Sequence, residues 1–112
     1  MPTIIENRRN LHQIPEIELT TQKTAQYIEN VLDLYDCTID HPIQNSVTAY
    51  FDNKKEKTIV FRSDMDALPM EENTDLAFKS TNGCMHACGH DGHMAMVLEL
   101  VKYAKDSDYN VL

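Results

Sequence analysis

The segment Met85–His93 reads MHACGHDGH and places His86, Cys88, His90, Asp91 and His93 within eight positions. A thiol and three imidazoles have few structural uses at such spacing. Thiolate and imidazole are donors for zinc, cobalt, nickel and manganese, so a transition-metal centre is the economical reading. Cys88 and His90 are the foremost ligand candidates. His86 and His93 serve equally well as donors that orient a ligand from behind. Gly89 and Gly92 allow tight folding between them, and a helix starting here would favour the Cys88 thiolate. Blander readings compete. Cys88 is a small apolar side chain that cores accept readily, and His93 is suited to capping or packing. Cys84, Cys88, His90 and His93 also make a four-donor set for structural zinc, although such sites usually join two separated pairs of ligands.

A second stretch bears carboxylates. Thr58-Ile59-Val60-Phe61 is a continuous apolar run, followed by Arg62-Ser63-Asp64-Met65-Asp66-Ala67-Leu68-Pro69. This is the pattern of a strand buried on both faces that delivers polar residues at its C-terminal end, the edge where ligands collect in open α/β sheets. Asp64 and Asp66 stand two apart, so an extended backbone puts both on one side, within reach of a metal or a metal-binding imidazole. A turn ended by Pro69 is the simpler use of two aspartates.

The flanking elements must position these groups. Ile4, Ile5, Arg8, Leu11 and His12 mark a first amphipathic helix, stopped by Pro15. Thr20 or Thr21 can cap a second, with Ala25, Ile28, Val31 and Leu32 on one face. Short strand signals lie at 37–39 and 47–51, and the charged run 53–57 reads as a solvated turn. After the His/Cys motif, Met96, Val97, Leu100, Val101 and Ala104 form the expected buried stripe of a third helix.

Composition narrows the function. Ten basic against 18 acidic residues give a net charge of -8, which argues against nucleic acid and anionic membranes as partners. No apolar run approaches membrane-spanning length, and MPTIIENRRN lacks the apolar core of a signal peptide. Three cysteines without scaffold density fit a reducing, cytoplasmic setting.

Taken together, RRNLHQIPEIE, FRSDMDALPMEE and MHACGHDGHMAM resemble, in order, the metal-dependent amidohydrolase and metallopeptidase family of aminoacylases, hippurate hydrolases, N-acetyldiaminopimelate deacetylases and auxin-conjugate hydrolases. The resemblance spans Arg8 to about Lys105. It implies an α/β fold: the N-terminal part of an α/β/α sandwich with a mixed sheet. It implies hydrolysis of the amide of an N-acyl amino acid or peptide, with two divalent metals (manganese, zinc, cobalt or nickel) activating water and a glutamate as general base. By the same resemblance, Cys88 bridges the metals and His90 binds one. Asp66 supports a metal-binding histidine, with Asp64 beside it. His86, Asp91, His93 and Arg62 are left for supporting or substrate contacts.

Family members are several times longer. Their paired glutamates lie on the strand after the third helix, where this chain reaches Asp108–Leu112, and two further histidine ligands come later. A smaller domain that mediates dimerisation and covers substrate is also expected outside this sequence. Here Glu99 is the sole glutamate after the motif and no histidine follows His93. The family often has acidic residues in place of Thr20-Thr21, a glycine in place of Ser46 and another near Tyr35; these departures touch turns. Residues 1–112 are therefore expected to be a partial, metal-binding catalytic domain without its base, inactive alone. The rival expectation is a non-enzymatic metal-binding or interaction fragment, or a small structural-zinc module.

Overall fold

The computed structural model describes residues 1–112 as three helices around a small core, with short strands along one side. Helix α1 (Ile4–His12) starts at Thr3, whose hydroxyl accepts the Glu6 amide while the Glu6 carboxylate accepts the Thr3 amide. This reciprocal pair satisfies two otherwise orphaned donors. Helix α2 (Gln22–Leu32) follows Thr21, but the Thr21 hydroxyl turns away to donate to the Asn45 carbonyl. Glu16 caps instead, its carboxylate accepting from the amides of Lys23 and Thr24. The capping oxygen thus comes from before the helix, at a position helix-start rules do not inspect.

Helix α3 (His90–Leu100) continues into a short 3-10 turn over Val101–Tyr103. Its buried face is Asp91, Met94, Ala95 and Leu98, whereas Met96 and Leu100 are exposed. The expected stripe was therefore rotated: α1 packs on the side of α3 that carries Met94 and Leu98. A similar correction holds for α1. Leu11, His12 and Asn7 are buried, while Ile4 and Ile5 lie at the surface.

Strands β1 (Thr38–Asp40) and β2 (Thr48–Tyr50) pair antiparallel, Ile39 opposite Ala49. Strands β3 (Thr58–Ile59) and β4 (Asn110–Val111) pair parallel, Ile59 opposite Val111. An antiparallel bridge between Phe51 and Val111 brings the two ladders edge to edge, giving the mixed strand arrangement of an α/β fold. The loop between β2 and β3 is sutured to the chain's last turn. Asn110 accepts from the amides of Asn53 and Lys55, and Asn53 donates to the carbonyls of Ala104 and Tyr109.

The core is small. Leu11, Val31, Leu32, Met94 and Leu98 form its centre, each worth about 1.5–3 kcal/mol of burial. The radius of gyration, 14.6 Å, exceeds the roughly 13 Å of a compact chain this long. The reason lies in the apolar run at 58–61. Only Thr58 and Ile59 join a ladder, and Val60 and Phe61 are 62% and 44% exposed. The run expected to be buried on both faces is uncovered here. Beside it opens an apolar groove of about 280 Å³, lined by Phe61, Met65, Met94, Val97, Val101 and Leu112 among others. No helix is long and apolar enough to cross a membrane.

Candidate metal centre

Three backbone tethers assemble the site. The Ala67 amide donates to the Glu16 carbonyl at 2.7 Å, and Leu68 and Met85 exchange two bonds of 2.9 Å. The end of the 58–66 stretch is thereby fixed between the α1–α2 connection and the His/Cys motif. At Gly89 the backbone takes φ 93°, a left-handed turn that costs other residues energy, and α3 begins at the next residue. Gly92, by contrast, sits in ordinary helical geometry inside α3. One of the two glycines makes the turn.

The turn aims His90 at the aspartates. Its Nδ1 lies 2.8 Å from the Asp66 carbonyl oxygen and 3.1 Å from Asp66 Oδ1. A carbonyl oxygen accepts only, so Nδ1 carries the proton, and in the neutral ring Nε2 presents its lone pair. Nε2 stands 3.9 Å from Asp64 Oδ2, too far for a hydrogen bond. Asp64 is oriented from its other side by Arg62, whose Nη2 donates at 2.7 Å across the surface. The His93 ring lies 5.9 Å from that of His90 and is exposed. Cys88 is also exposed, and Cys84 is half-buried.

These donors fit part of a metal site. An imidazole nitrogen with a free lone pair, its other nitrogen held from behind, is the geometry of a ligating histidine. Beside it in sequence stands an accessible thiol. Yet no three of the chain's histidine, cysteine, aspartate and glutamate side chains converge tightly enough to enclose a cation. The set Cys84, Cys88, His90 and His93 is therefore not assembled as a structural zinc site.

His86 is almost wholly buried, and neither ring nitrogen finds a hydrogen-bond partner in the chain. Burial lowers its pKa, with His12 and His90 adding to the effect and Asp91 and Asp66 opposing it. It makes no hydrogen bond to Cys88 or His90.

Behind the motif lies a buried ionic chain. His12 is 2% exposed, and both ring nitrogens face carboxylates: Nδ1 meets Asp91 Oδ2 at 2.7 Å and Nε2 meets Glu72 Oε1 at 2.7 Å. Arg8 Nε adds a contact of 2.9 Å to Asp91 Oδ2. Glu72 also accepts from the Ser80 amide at 2.9 Å and from the Thr74 hydroxyl. Burial pushes the Glu72 carboxyl up, but the bonds from Thr74, Ser80 and His12 together outweigh it and hold its pKa at about 2. Arg8 and His12, both on α1, thus face the buried carboxylates of Asp91 and Glu72. Sequence reading took His12 as one position of an amphipathic face and gave Glu72 no role. The available signal was a histidine on the apolar side of α1, with no partner nearby in sequence.

The model of peptidase family M20/M25/M40 matches residues 60–110 of this α/β chain, 51 of its 112. An uncharacterized hydrolase of Staphylococcus epidermidis is 44% identical over 100 residues, covering 88% of this chain and 26% of its own. One from Staphylococcus aureus is 39% identical over 104 residues, covering 92% and 27%. A crystal structure from methicillin-resistant S. aureus, of a protein provisionally described as an aminohydrolase, superposes with a TM-score of 0.90. It is 37% identical, over 97% of this chain and 31% of that one. A Bacillus subtilis dinuclear metal-binding peptidase of the M20 family gives 0.83 at 34% identity, over 96% and 32%. The chain spans about a quarter of the length of the curated relatives it matches.

Proposed function

We propose that residues 1–112 form part of the catalytic domain of a metal-dependent hydrolase that cleaves the amide of N-acyl amino acids or peptides. The observation that carries this is the pose of His90, with Nδ1 held by Asp66 and Nε2 free. Cys88 and His90 are the proposed ligands of a centre for two divalent metals. Bound divalent cations supply Lewis-acid polarisation of the scissile carbonyl. Within the chain, Asp66 fixes the tautomer and direction of His90, and Arg62 keeps Asp64 turned beside it. His93, exposed one helical turn away, is placed to meet substrate. The match to the M20/M25/M40 family model and the dinuclear description of the B. subtilis neighbour support this reading.

Two donors leave most coordination positions to water, so the isolated chain is expected to bind metal weakly and reversibly. Calorimetric titration with a divalent transition metal tests the ligand assignment. Cys88→Ser should abolish binding and Cys84→Ser should leave it nearly unchanged; equal losses would return the site to structural zinc. No residue of the chain is placed to act as general base, whose help is worth about 10²–10⁴-fold. We expect no hydrolysis of N-acetyl amino acids or hippurate by the 112 residues alone, with manganese, zinc or cobalt added. Joining the downstream segment of a full-length relative should restore turnover. Metal-dependent amidase activity from this chain alone would refute the partial-site reading. The apolar groove favours a second reading, a fragment that docks on another polypeptide; co-purification with such a chain, without metal dependence, would support it.

A further inference from the structure

We infer that His12 is a positioning residue for the metal centre, clamped between Asp91 and Glu72 so that it fixes the first turn of α3 and with it the aim of His90 and Cys88. The inference rests on the metal-centre reading for its function, but the clamp itself is plain geometry. Asp91 immediately follows His90. Its Oδ2 is held by His12 and Arg8, both on α1, while its Oδ1 accepts the Gly92 amide at 2.9 Å. One carboxylate thus ties the opening turn of α3 to α1 through two donors, with the Gly92 amide of α3 itself holding its other oxygen. The second half of the clamp runs through Glu72, whose bonds to Thr74 and Ser80 anchor the 72–80 loop to the same ring.

The ring hydrogen-bonds to both the 72–80 loop and α3 from its place on α1. Phe78 closes the assembly, edge-on to His12 at 5.6 Å and beneath the guanidinium of Arg8 at 5.3 Å. Apolar contacts alone would hold α3 on α1 but would let it roll or slide by fractions of an ångström. A ligand loop tolerates such movement poorly, because coordination distances are fixed within about 0.2 Å. Directional bonds at both ring nitrogens remove that freedom. An imidazole sets two opposed polar nitrogens on a rigid ring, which is why a histidine suits this place better than a lysine or an amide.

Two readouts on the full chain test the inference, using His12→Gln and, in case that variant folds poorly, Glu72→Gln. Glu72 makes no direct hydrogen bond to the ligand loop; it acts on α3 through His12 and, less directly, through Ser80, whose hydroxyl donates to the Cys84 carbonyl. The first readout is metal-free amide exchange by NMR. The His93 amide, bonded to the Gly89 carbonyl at 3.0 Å, closes the first turn of α3. In His12→Gln its exchange should quicken about tenfold relative to the Leu98 amide, as losing a hydrogen bond to a charged group implies. Glu72→Gln should shift it in the same direction by a smaller factor. A merely structural loss would quicken both amides together and would overturn the inference, as would no change in either variant. The second readout is cobalt(II) titration followed by thiolate-to-metal absorption. His12→Gln should weaken binding about 10–100-fold, the usual cost of losing a group that supports ligands. Unchanged affinity would overturn the inference. A wild-type chain with no Cys88-dependent absorption would instead sink the metal reading, leaving the exchange data to judge the clamp.

Discussion

Replacing Glu72 by alanine removes an acceptor shared by three donors. His12 Nε2, the Ser80 amide and the Thr74 hydroxyl all end on this carboxylate, whose side chain is fully buried. Truncating one partner of a buried, hydrogen-bonded pair costs on the order of 3–5 kcal/mol, because the donors that end on it are left buried without an acceptor. Stabilities of small domains are on the order of 5–15 kcal/mol, so this is a large share. With a urea slope of about 1–3 kcal/mol per molar, the midpoint should fall by more than about 1 M. The pH dependence follows from the carboxyl's low native pKa, about 2 against an ordinary 4.5. The native state holds fewer protons than the unfolded one between those values. The Glu72 contribution is therefore complete above 4.5 and lost as the pH falls toward about 2. Urea unfolding, followed by far-ultraviolet circular dichroism, should show a wide gap between wild type and Glu72→Ala at neutral pH. Near pH 3, roughly the middle of that window, the gap should have narrowed clearly. A gap that is as wide in acid as at neutrality would refute the argument, as would a midpoint unchanged by the substitution.

Two further outcomes follow from groups that lack partners. His86 buries two ring nitrogens without a bond, so His86→Leu at neutral pH should leave thermal stability unchanged or raised; a loss above about 1 kcal/mol would mean that the ring is satisfied after all. Val60, Phe61 and the adjoining groove leave a continuous apolar face uncovered, which predicts self-association and binding of hydrophobic dyes. Phe61→Lys should reduce both in sedimentation and fluorescence measurements, and a wild-type chain that sediments as a dye-free monomer would contradict this.

Much of the site was legible because it is local. Cys88, His90 and the turn at Gly89 lie within three residues, and donor chemistry at that spacing needs no tertiary information to be noticed. Asp64 and Asp66 were legible for a similar reason: alternation along an extended backbone puts both on one side, and both face His90. Helix positions followed from Pro15 and the apolar periodicity. Their faces did not. The stripe at Met96 and Leu100 and the buried stripe at Met94 and Leu98 are equally good apolar patterns, and only the arrival of α1 chooses between them.

By itself the sequence determined the chemistry on offer: a thiol and an imidazole two residues apart, and two carboxylates at the end of an apolar run, on α/β elements. Tertiary structure alone decided which nitrogen of His90 is free, because the Asp66 carbonyl that claims Nδ1 is 24 residues away. It also decided that His12 meets Glu72 and Asp91 across separations of 60 and 79 residues. Hydrogen bonds are specific within tenths of an ångström, whereas sequence patterns report only direction along one element. Partners on different elements become visible when packing has fixed the distance between them.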